Sequence, residues 1–172
     1  MALRRLLSEY QIRERILEMG GQIDADYPDG TLLLICILKG ACYFLADLSR
    51  AIKRDVFIDF MGISSYGRGQ TSSGEVKITK DLDISIEGVD VLIIEDIIDS
   101  GITLSYLTNL LQQHKPRTLR VAALLDKPER RVRPVDVAYV GFPIPDEFVV
   151  GYGLDFAEKY RNLREICILD PE

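Results

Sequence analysis

The chain has 172 residues, of which 47% are hydrophobic and 28% are charged, a balance typical of one compact globular domain. Acidic residues outnumber basic ones by 27 to 21, and the formal charge of -6 argues against the broad positive surface that a nucleic-acid partner needs. The longest apolar run, residues 32–38, is far shorter than the roughly 20 residues that cross a bilayer, and no signal-like apolar core follows Arg4 and Arg5. We therefore expect a location in the cytoplasm and no membrane partner. We also expect one domain over residues 1–172.

The first half of the chain predicts a helix followed by alternating strands and helices. Ser8 and Gln11 form a capping-box pattern, and the apolar residues that follow recur at helical spacing, although Gly20 and Gly21 weaken the pattern. The predicted elements after this helix are a buried strand at residues 32–38, its crossover helix at residues 41–52, and strands at residues 56–61 and 76–78. Between the last two strands, residues 62–74 are polar and rich in glycine, which predicts a mobile loop.

The second half continues the alternation. Its predicted elements are strands at residues 89–94, 121–125, 137–140 and 166–169, an apolar segment at residues 148–150, and a helix at residues 102–114. This helix is expected to face the core with four leucines, Leu104, Leu107, Leu110 and Leu111. The cysteines lack the spacing of a disulfide framework or a zinc site, so we interpret all three as small core residues: Cys36, Cys42 and Cys167. Together these elements predict an α/β fold with a doubly wound, mostly parallel sheet flanked by helices.

The most informative segment joins one predicted strand to the helix that follows it. It carries three carboxylates, Glu95, Asp96 and Asp99, ahead of Ser100-Gly101-Ile102-Thr103, where the helix begins. Unpaired N–H groups at a helix start favour an anion, whereas carboxylates need hydroxyl groups or a cation. A phosphorylated ribose with a metal ion would satisfy all of these groups. The structural alternative is solvation of a strand end followed by turn and cap chemistry.

Neither a Walker phosphate loop nor a GxGxxG dinucleotide pattern is present. Instead, residues 93–104, Ile-Ile-Glu-Asp-Ile-Ile-Asp-Ser-Gly-Ile-Thr-Leu, closely resemble the phosphoribosyl pyrophosphate signature of the purine phosphoribosyltransferases. The resemblance extends over residues 32–169, in the order expected for the hypoxanthine/guanine branch. The further matching segments are Leu38-Lys39-Gly40, Ser64-Ser65-Tyr66-Gly67, Lys127 and residues 144–155.

This resemblance implies the type I phosphoribosyltransferase fold, with a small hood formed by terminal segments. It implies an enzyme that transfers the 5-phosphoribosyl group from phosphoribosyl pyrophosphate to hypoxanthine and/or guanine, giving IMP or GMP and pyrophosphate. It also implies Mg²⁺ as the cofactor and assembly into a homodimer or homotetramer.

The resemblance further implies which residues bind phosphoribosyl pyrophosphate: Lys39, Gly40, Glu95, Asp96, Asp99, Ser100, Gly101, Ile102, Thr103 and Arg161. Glu95 and Asp96 would hold the ribose hydroxyls directly or through magnesium, with Asp155 as a further magnesium ligand. Residues 99–103 would cradle the 5-phosphate. Position 102 is apolar where some relatives carry a lysine, so we expect backbone and hydroxyl groups to bind that phosphate.

For the purine, the resemblance points to Lys127, Phe148 and Val149. Asp99 would be the catalytic acid/base beside the base, and capping of the following helix is its alternative role. Lys127 would donate to the 6-oxo group and disfavour adenine, unless it is only an exposed lysine before a proline. Phe148 would stack on the base, unless it is a core residue, and the Val149 backbone would meet the purine edge.

Ser64, Ser65, Tyr66 and Gly67 are expected to form a lid that keeps water from competing with the purine; a disordered surface loop is the alternative.

Two other functions deserve comparison. A receiver domain takes its acidic residues from separate strands, whereas this chain concentrates three in one loop. A regulatory RNA- or DNA-binding protein on the same fold is disfavoured by the acidic balance and by the lack of an added basic domain.

Overall fold

The computed structural model describes residues 1–65 and 76–170. Its helices and strands in chain order are β1 (Ala2–Leu7), α1 (Glu9–Asp26), β2 (Leu32–Leu38), α2 (Cys42–Ala51), β3 (Val56–Ser65), β4 (Val76–Lys80), β5 (Asp90–Ile98), α3 (Ile102–Gln112), β6 (Thr118–Asp126), β7 (Tyr139–Pro143), β8 (Val149–Val150) and β9 (Ile166–Asp170). A single 3-10 turn, Pro128–Arg130, follows β6. The alternation of strands and helices predicted for the first 140 residues or so is therefore present.

The main sheet has the strand order β4-β3-β2-β5-β6-β7. Strands β3, β2, β5, β6 and β7 are parallel, and β4 pairs antiparallel with β3 at the edge. Strands β2 and β5 are neighbours in the middle, and the chain leaves β2 towards β3 on one side and β5 towards β6 on the other. This reversal of direction makes the sheet doubly wound and opens a crevice at the carboxyl ends of the two strands.

Helices cover both faces of this sheet because its central strands are apolar on both faces. On β5, Leu92 and Ile94 pack with α1 and α2, whereas Val91 and Ile93 pack with α3 on the opposite face, as the period of two along a strand requires. Helices α1 and α2 also pack closely on each other. A Cβ atom at Gly20 would lie 2.5 Å from the carbonyl oxygen of Ala51, so the glycine that weakens the helical pattern is what lets the helices approach.

Helix α1 begins with the predicted capping box. The side chain of Ser8 accepts a hydrogen bond from the N–H of Gln11 at 3.2 Å, and the Ser8 N–H donates to the Gln11 side chain at 2.9 Å. These two bonds satisfy N–H groups that have no partner within the helix. The helix then continues past both glycines to Asp26.

A second, small sheet forms the hood from the two ends of the chain. Its order is β1-β9-β8, and both pairings are antiparallel, with Ala2 opposite Asp170 and Val150 opposite Cys167. The hood was expected, but strand β1 was not predicted from its residues, most of which are exposed. The hood places the segment that follows β8 close to the carboxyl ends of the main strands, where Gly153 contacts Gly40.

Two predictions about individual residues were wrong. Cys42 is exposed at the start of α2 rather than buried in the core, because the buried side of that helix begins at Phe44; Cys36 and Cys167 are buried as expected. Leu110 is only half-buried, whereas Leu104, Leu107 and Leu111 are in the core. No helix in the described ranges is long and apolar enough to span a membrane.

Candidate active site

A cavity of about 270 Å³ lies at the carboxyl ends of β2 and β5, in the crevice where the sheet changes direction. Seven of the predicted ligand-binding residues line it: Gly40, Glu95, Asp96, Asp99, Ser100, Gly101 and Thr103. Apolar side chains such as Ile37, Ile63 and Leu104 form the rest of its wall. The structure therefore brings the glycine after β2 next to the acidic loop and the start of α3, which are distant from it in sequence.

Glu95 and Asp96 form an acidic pair in the second half of β5 and line the cavity. Removal from water and the neighbouring Asp96 carboxylate raise the pKa of Glu95 well above its ordinary value. Burial also raises the pKa of Asp96, although the N–H of Ile97 donates a hydrogen bond of 2.7 Å to it. Two half-buried carboxyl groups side by side favour a ligand that supplies a cation or hydroxyl donors.

Helix α3 begins beside this pair, in the wall of the same cavity. Its N-cap is Gly101, which has a φ of 82° and makes no side-chain cap; this left-handed conformation is costly for residues other than glycine. The Ser100 hydroxyl accepts from the N–H of Ile102 at 3.3 Å. Since Asp99 does not cap the helix, its alternative role as a capping residue is excluded.

The glycine after β2 lies against the acidic pair. A Cβ atom at Gly40 would be 1.7 Å from Asp96 Oδ2, so any other residue there would displace the Asp96 carboxylate or the loop. Lys39 is exposed, and its ammonium pairs with Glu158 at 3.2 Å. Arg161 lies on the same side, donating to the carbonyl of Gly153 at 2.7 Å and pairing with Asp155 at 3.1 Å.

The predicted purine-binding residues lie outside the cavity lining, on the segments after β6 and at β8. Lys127 is 7% exposed, and its N–H donates to the carbonyl of Ile98 at 2.9 Å, so it is not a solvated turn lysine. Phe148 is 52% exposed and meets Phe156 edge-on, with ring centroids 5.8 Å apart, so it is not a core residue. Val149 is buried in β8.

Comparison with known proteins identifies the family to which this fold belongs. The family model described as a phosphoribosyl transferase domain matches residues 5–157. The chain belongs to the phosphoribosyl transferase family.

Individual relatives of this phosphoribosyltransferase cover nearly all of it. It is 52% identical to the hypoxanthine-guanine phosphoribosyltransferase of Bacillus subtilis, over 96% of the chain and 92% of that protein. It is 53% identical to the bifunctional protein TilS/HprT of Listeria innocua over 97% of the chain, but spans only 26% of that longer protein. A solved hypoxanthine phosphoribosyltransferase from Staphylococcus aureus has a TM-score of 0.95 and 50% identity, covering 98% of this chain and 91% of that one. The predicted family, fold class and phosphoribosyltransferase activity are confirmed.

One feature of the phosphoribosyltransferase site has no counterpart in the sequence-based prediction. Arg130, in the 3-10 turn after Lys127, lies with Nε 2.6 Å from Asp99 Oδ1. Its Nη1 donates to Asp146 Oδ1 at 3.3 Å, and the same Asp146 oxygen is 3.8 Å from the ammonium of Lys127. The sequence contains no signal for this, because Arg130 is one of three arginines within four residues, and spacing does not tell which one faces Asp99.

The lid prediction is only partly within the described residues. Ser64 is exposed near the end of β3 and pairs with Lys77 of β4, and Ser65, the last residue of β3, pairs with Val76. Tyr66 and Gly67 lie outside the described residues. The lid therefore stays a prediction.

Proposed function

We propose that this phosphoribosyltransferase serves purine salvage, transferring the 5-phosphoribosyl group from phosphoribosyl pyrophosphate to hypoxanthine and/or guanine to give IMP or GMP and pyrophosphate. One observation carries the proposal: the acidic pair, the start of α3 and Gly40 open into the same cavity. A single ligand can therefore present a diol, a phosphate and a pyrophosphate to all three. The names of the relatives support the choice of base.

In this proposal each wall of the cavity binds one part of phosphoribosyl pyrophosphate. Glu95 and Asp96 accept hydrogen bonds from the ribose hydroxyls. The 5-phosphate lies at the start of α3, where residues 99–103 offer N–H groups, the Ser100 and Thr103 hydroxyls and the positive end of the helix dipole. The Lys39-Gly40 loop and Arg161 bind the pyrophosphate, because glycine lets the anion approach the backbone closely.

Mg²⁺ fits the donor set as an ion shared with the substrate. Among residues 1–65 and 76–170, no three His, Cys, Asp or Glu side chains are grouped so that they could hold a metal ion by themselves. Mg²⁺ commonly binds through one or two carboxylates, water and substrate phosphates, which matches a site of this kind. We assign Glu95, Asp96 and Asp155 as its candidate ligands, and bound Mg²⁺ would neutralise the departing pyrophosphate oxygens.

The purine in this proposal lies between Phe148 and the acidic loop. Phe148 is exposed enough to stack on it, and the Val149 backbone meets its edge. Lys127, buried and donor-only, donates to the 6-oxo group and offers nothing to the 6-amino group of adenine. Adenine is therefore expected to be a poor substrate.

The chemistry assigned to the chain's own residues is charge stabilisation and proton transfer. As the bond to pyrophosphate breaks, positive charge develops on the ribose ring, and the Glu95 and Asp96 carboxylates stabilise it. Asp99 takes the proton of the purine ring nitrogen across from the nitrogen that attacks the ribose. Ser64, Ser65, Tyr66 and Gly67 close over the site, so that water does not intercept the reacting ribose.

We also propose that the enzyme acts in the cytoplasm as a homodimer or homotetramer, on small-molecule substrates and without a nucleic-acid or membrane partner. The excess of acidic residues supports the absence of a nucleic-acid partner. Light scattering coupled to size-exclusion chromatography measures the assembly, and a monomeric mass would contradict it.

The decisive experiment incubates the protein with phosphoribosyl pyrophosphate, Mg²⁺ and each of hypoxanthine, guanine, xanthine and adenine. Chromatography of the nucleotides is expected to show IMP or GMP with an equal amount of pyrophosphate, and little AMP. Failure to form any nucleotide would overturn the proposal. Calorimetry with phosphoribosyl pyrophosphate and Mg²⁺ alone tests the binding site separately from the choice of base.

A further inference from the structure

Four side chains of alternating charge connect the purine side of the site to the acidic loop. In order they are Lys127, Asp146, Arg130 and Asp99. Asp146 Oδ1 is shared: it lies 3.8 Å from the Lys127 ammonium and 3.3 Å from Arg130 Nη1. Arg130 is shared as well, because its Nε lies 2.6 Å from Asp99 Oδ1. A change of partner at one end of this network of four side chains therefore affects the other ion pairs in it.

The two inner members, Arg130 and Asp146, have room to change partners because both side chains are half-exposed. Lys127 is buried and its backbone is tied to Ile98, whereas the side chains of Arg130 and Asp146 are 50% and 45% exposed. Exposed ion pairs of this kind are weak and exchange partners readily. The Asp99 oxygen that faces Arg130 is shielded from solvent, although the side chain as a whole is 46% exposed, so solvent reaches the carboxylate from its other side.

Arg130 and the purine compete for the same carboxylate. In the proposed function, on which this step rests, Asp99 takes a proton from the purine ring, and a guanidinium paired with that carboxylate opposes the transfer electrostatically. The same function gives Lys127 a new acceptor, the 6-oxo oxygen, which competes with Asp146 for the ammonium. Binding of the 6-oxo group to Lys127 thus weakens the Lys127–Asp146 pair, and proton transfer to Asp99 requires the Arg130–Asp99 pair to loosen.

We propose that Asp146 and Arg130 are positioning residues that couple recognition of the purine 6-oxo group to release of the Asp99 carboxylate. When Lys127 donates to the 6-oxo group, it leaves Asp146, and Asp146 then pairs with Arg130 alone. Arg130 then moves from Asp99 towards Asp146, and the freed Asp99 carboxylate accepts the ring proton. A base without a 6-oxo group leaves Lys127 on Asp146 and Arg130 on Asp99, so it is disfavoured in turnover as well as in binding.

Two substitutions should act in opposite directions. Removing the guanidinium in Arg130→Met frees Asp99 for every base, so kcat with unsubstituted purine, which lacks the 6-oxo group, should rise by up to about fivefold, the upper end of the effect expected for exposed ion pairs. Asp146→Asn removes the other partner of Arg130 and leaves it on Asp99, so kcat with hypoxanthine should fall by a similar factor. In the double variant the Asp146→Asn loss should disappear, because no guanidinium remains to be moved.

The test measures kcat and KM for hypoxanthine and for unsubstituted purine in the wild type, the two variants and the double variant, at saturating phosphoribosyl pyrophosphate and Mg²⁺. Arg133→Met is the matched control, since Arg133 is exposed and makes no side-chain ion pair with the described residues; it should leave both rates unchanged. Equal changes for the two bases in Arg130→Met, or an Asp146→Asn loss that persists in the double variant, would overturn the coupling. A wild type without activity on hypoxanthine would instead overturn the proposed function.

Discussion

Gly153 and Gly40 are in direct backbone contact: a Cβ atom at Gly153 would lie 2.1 Å from the carbonyl oxygen of Gly40. Gly153 has a φ of 99°, in the left-handed region, and it belongs to the segment between β8 and β9. On its other side Gly40 lies against Asp96. Two glycines therefore let the loop after β2 fit between the hood and the acidic pair, which fixes the position of the proposed pyrophosphate-binding backbone.

Substitution of Gly40 by alanine should disrupt binding of phosphoribosyl pyrophosphate. The new Cβ would overlap Asp96 Oδ2, and a displacement of about 1 Å in a positioning element can cost about 100-fold in rate. Steady-state kinetics should show a loss of about this size in kcat/KM for phosphoribosyl pyrophosphate. Gly21→Ala is the control, because a Cβ there meets nothing within 4 Å, and its activity should equal that of the wild type. Normal kinetics in Gly40→Ala would show that the loop is not part of the site.

Asp99→Asn should abolish proton transfer without affecting the fold. Asp99 does not cap α3, whose N-cap is Gly101, and asparagine has nearly the same shape. We expect kcat to fall about 10²- to 10⁴-fold, the usual contribution of a general acid or base, while the thermal unfolding midpoint stays close to that of the wild type. Unchanged turnover would remove Asp99 from the mechanism, and unfolding at a lower temperature would point to a structural role.

Phe148→Ala should weaken purine binding selectively. Stacking of a base on an aromatic ring contributes about 1–3 kcal/mol, so KM for hypoxanthine should rise about 5- to 150-fold, with little change in KM for phosphoribosyl pyrophosphate. Phe57→Ala is a matched control, since Phe57 is 58% exposed on β3 and Phe148 is 52% exposed. A purine KM equal to that of the control variant would argue against stacking.

Local patterns predicted the main sheet because its central strands are continuous apolar runs. Residues 32–38 were predicted as a strand and form β2 with the same bounds. Strand β5 was predicted too short, since Glu95 and Asp96 interrupt the apolar run while the strand continues to Ile98. Strand β1 was missed because most of its side chains are exposed, so only pairing with β9, some 160 residues away in the chain, makes it a strand.

The acidic loop was visible in the sequence because its residues are contiguous, whereas the ion pairs of Arg130 were not because their partners are distant in sequence. Glu95, Asp96 and the start of α3 are contiguous in sequence, so their chemistry is visible as one motif. The link from Asp99 to Asp146 through Arg130 joins two loops that only folding brings together. Local sequence carries no information on such a contact between charged side chains at the surface.

Asp90 at the start of β5 should make stability depend on pH in the acid range. Its side chain is 6% exposed and accepts hydrogen bonds from Arg117 at 3.0 Å and from the Thr118 hydroxyl at 2.7 Å. The Arg117 guanidinium, followed by the Thr118 hydroxyl, lowers the pKa of Asp90 below its ordinary value of 3.8 against the opposing effect of burial. A carboxylate whose pKa is lower in the folded state stabilises the fold above its unfolded pKa, and this stabilisation is lost as the pH falls through the folded pKa.

The Asp90→Asn variant tests this directly. Hydrogen bonds to charged groups contribute about 1.5–3 kcal/mol, so near neutral pH the variant should lose about that much free energy of unfolding, measured by urea denaturation. The difference from the wild type should shrink as the pH drops below about 4, where the unfolded wild-type chain begins to take up the proton, and should level off below the lowered pKa of folded Asp90. Asp29→Asn, at an exposed position before β2, should show little loss at any pH. A difference between Asp90→Asn and the wild type that stays constant down to acid pH would mean that the charge of Asp90 contributes nothing, and that only the shape and hydrogen-bonding capacity of the side chain matter at the start of β5.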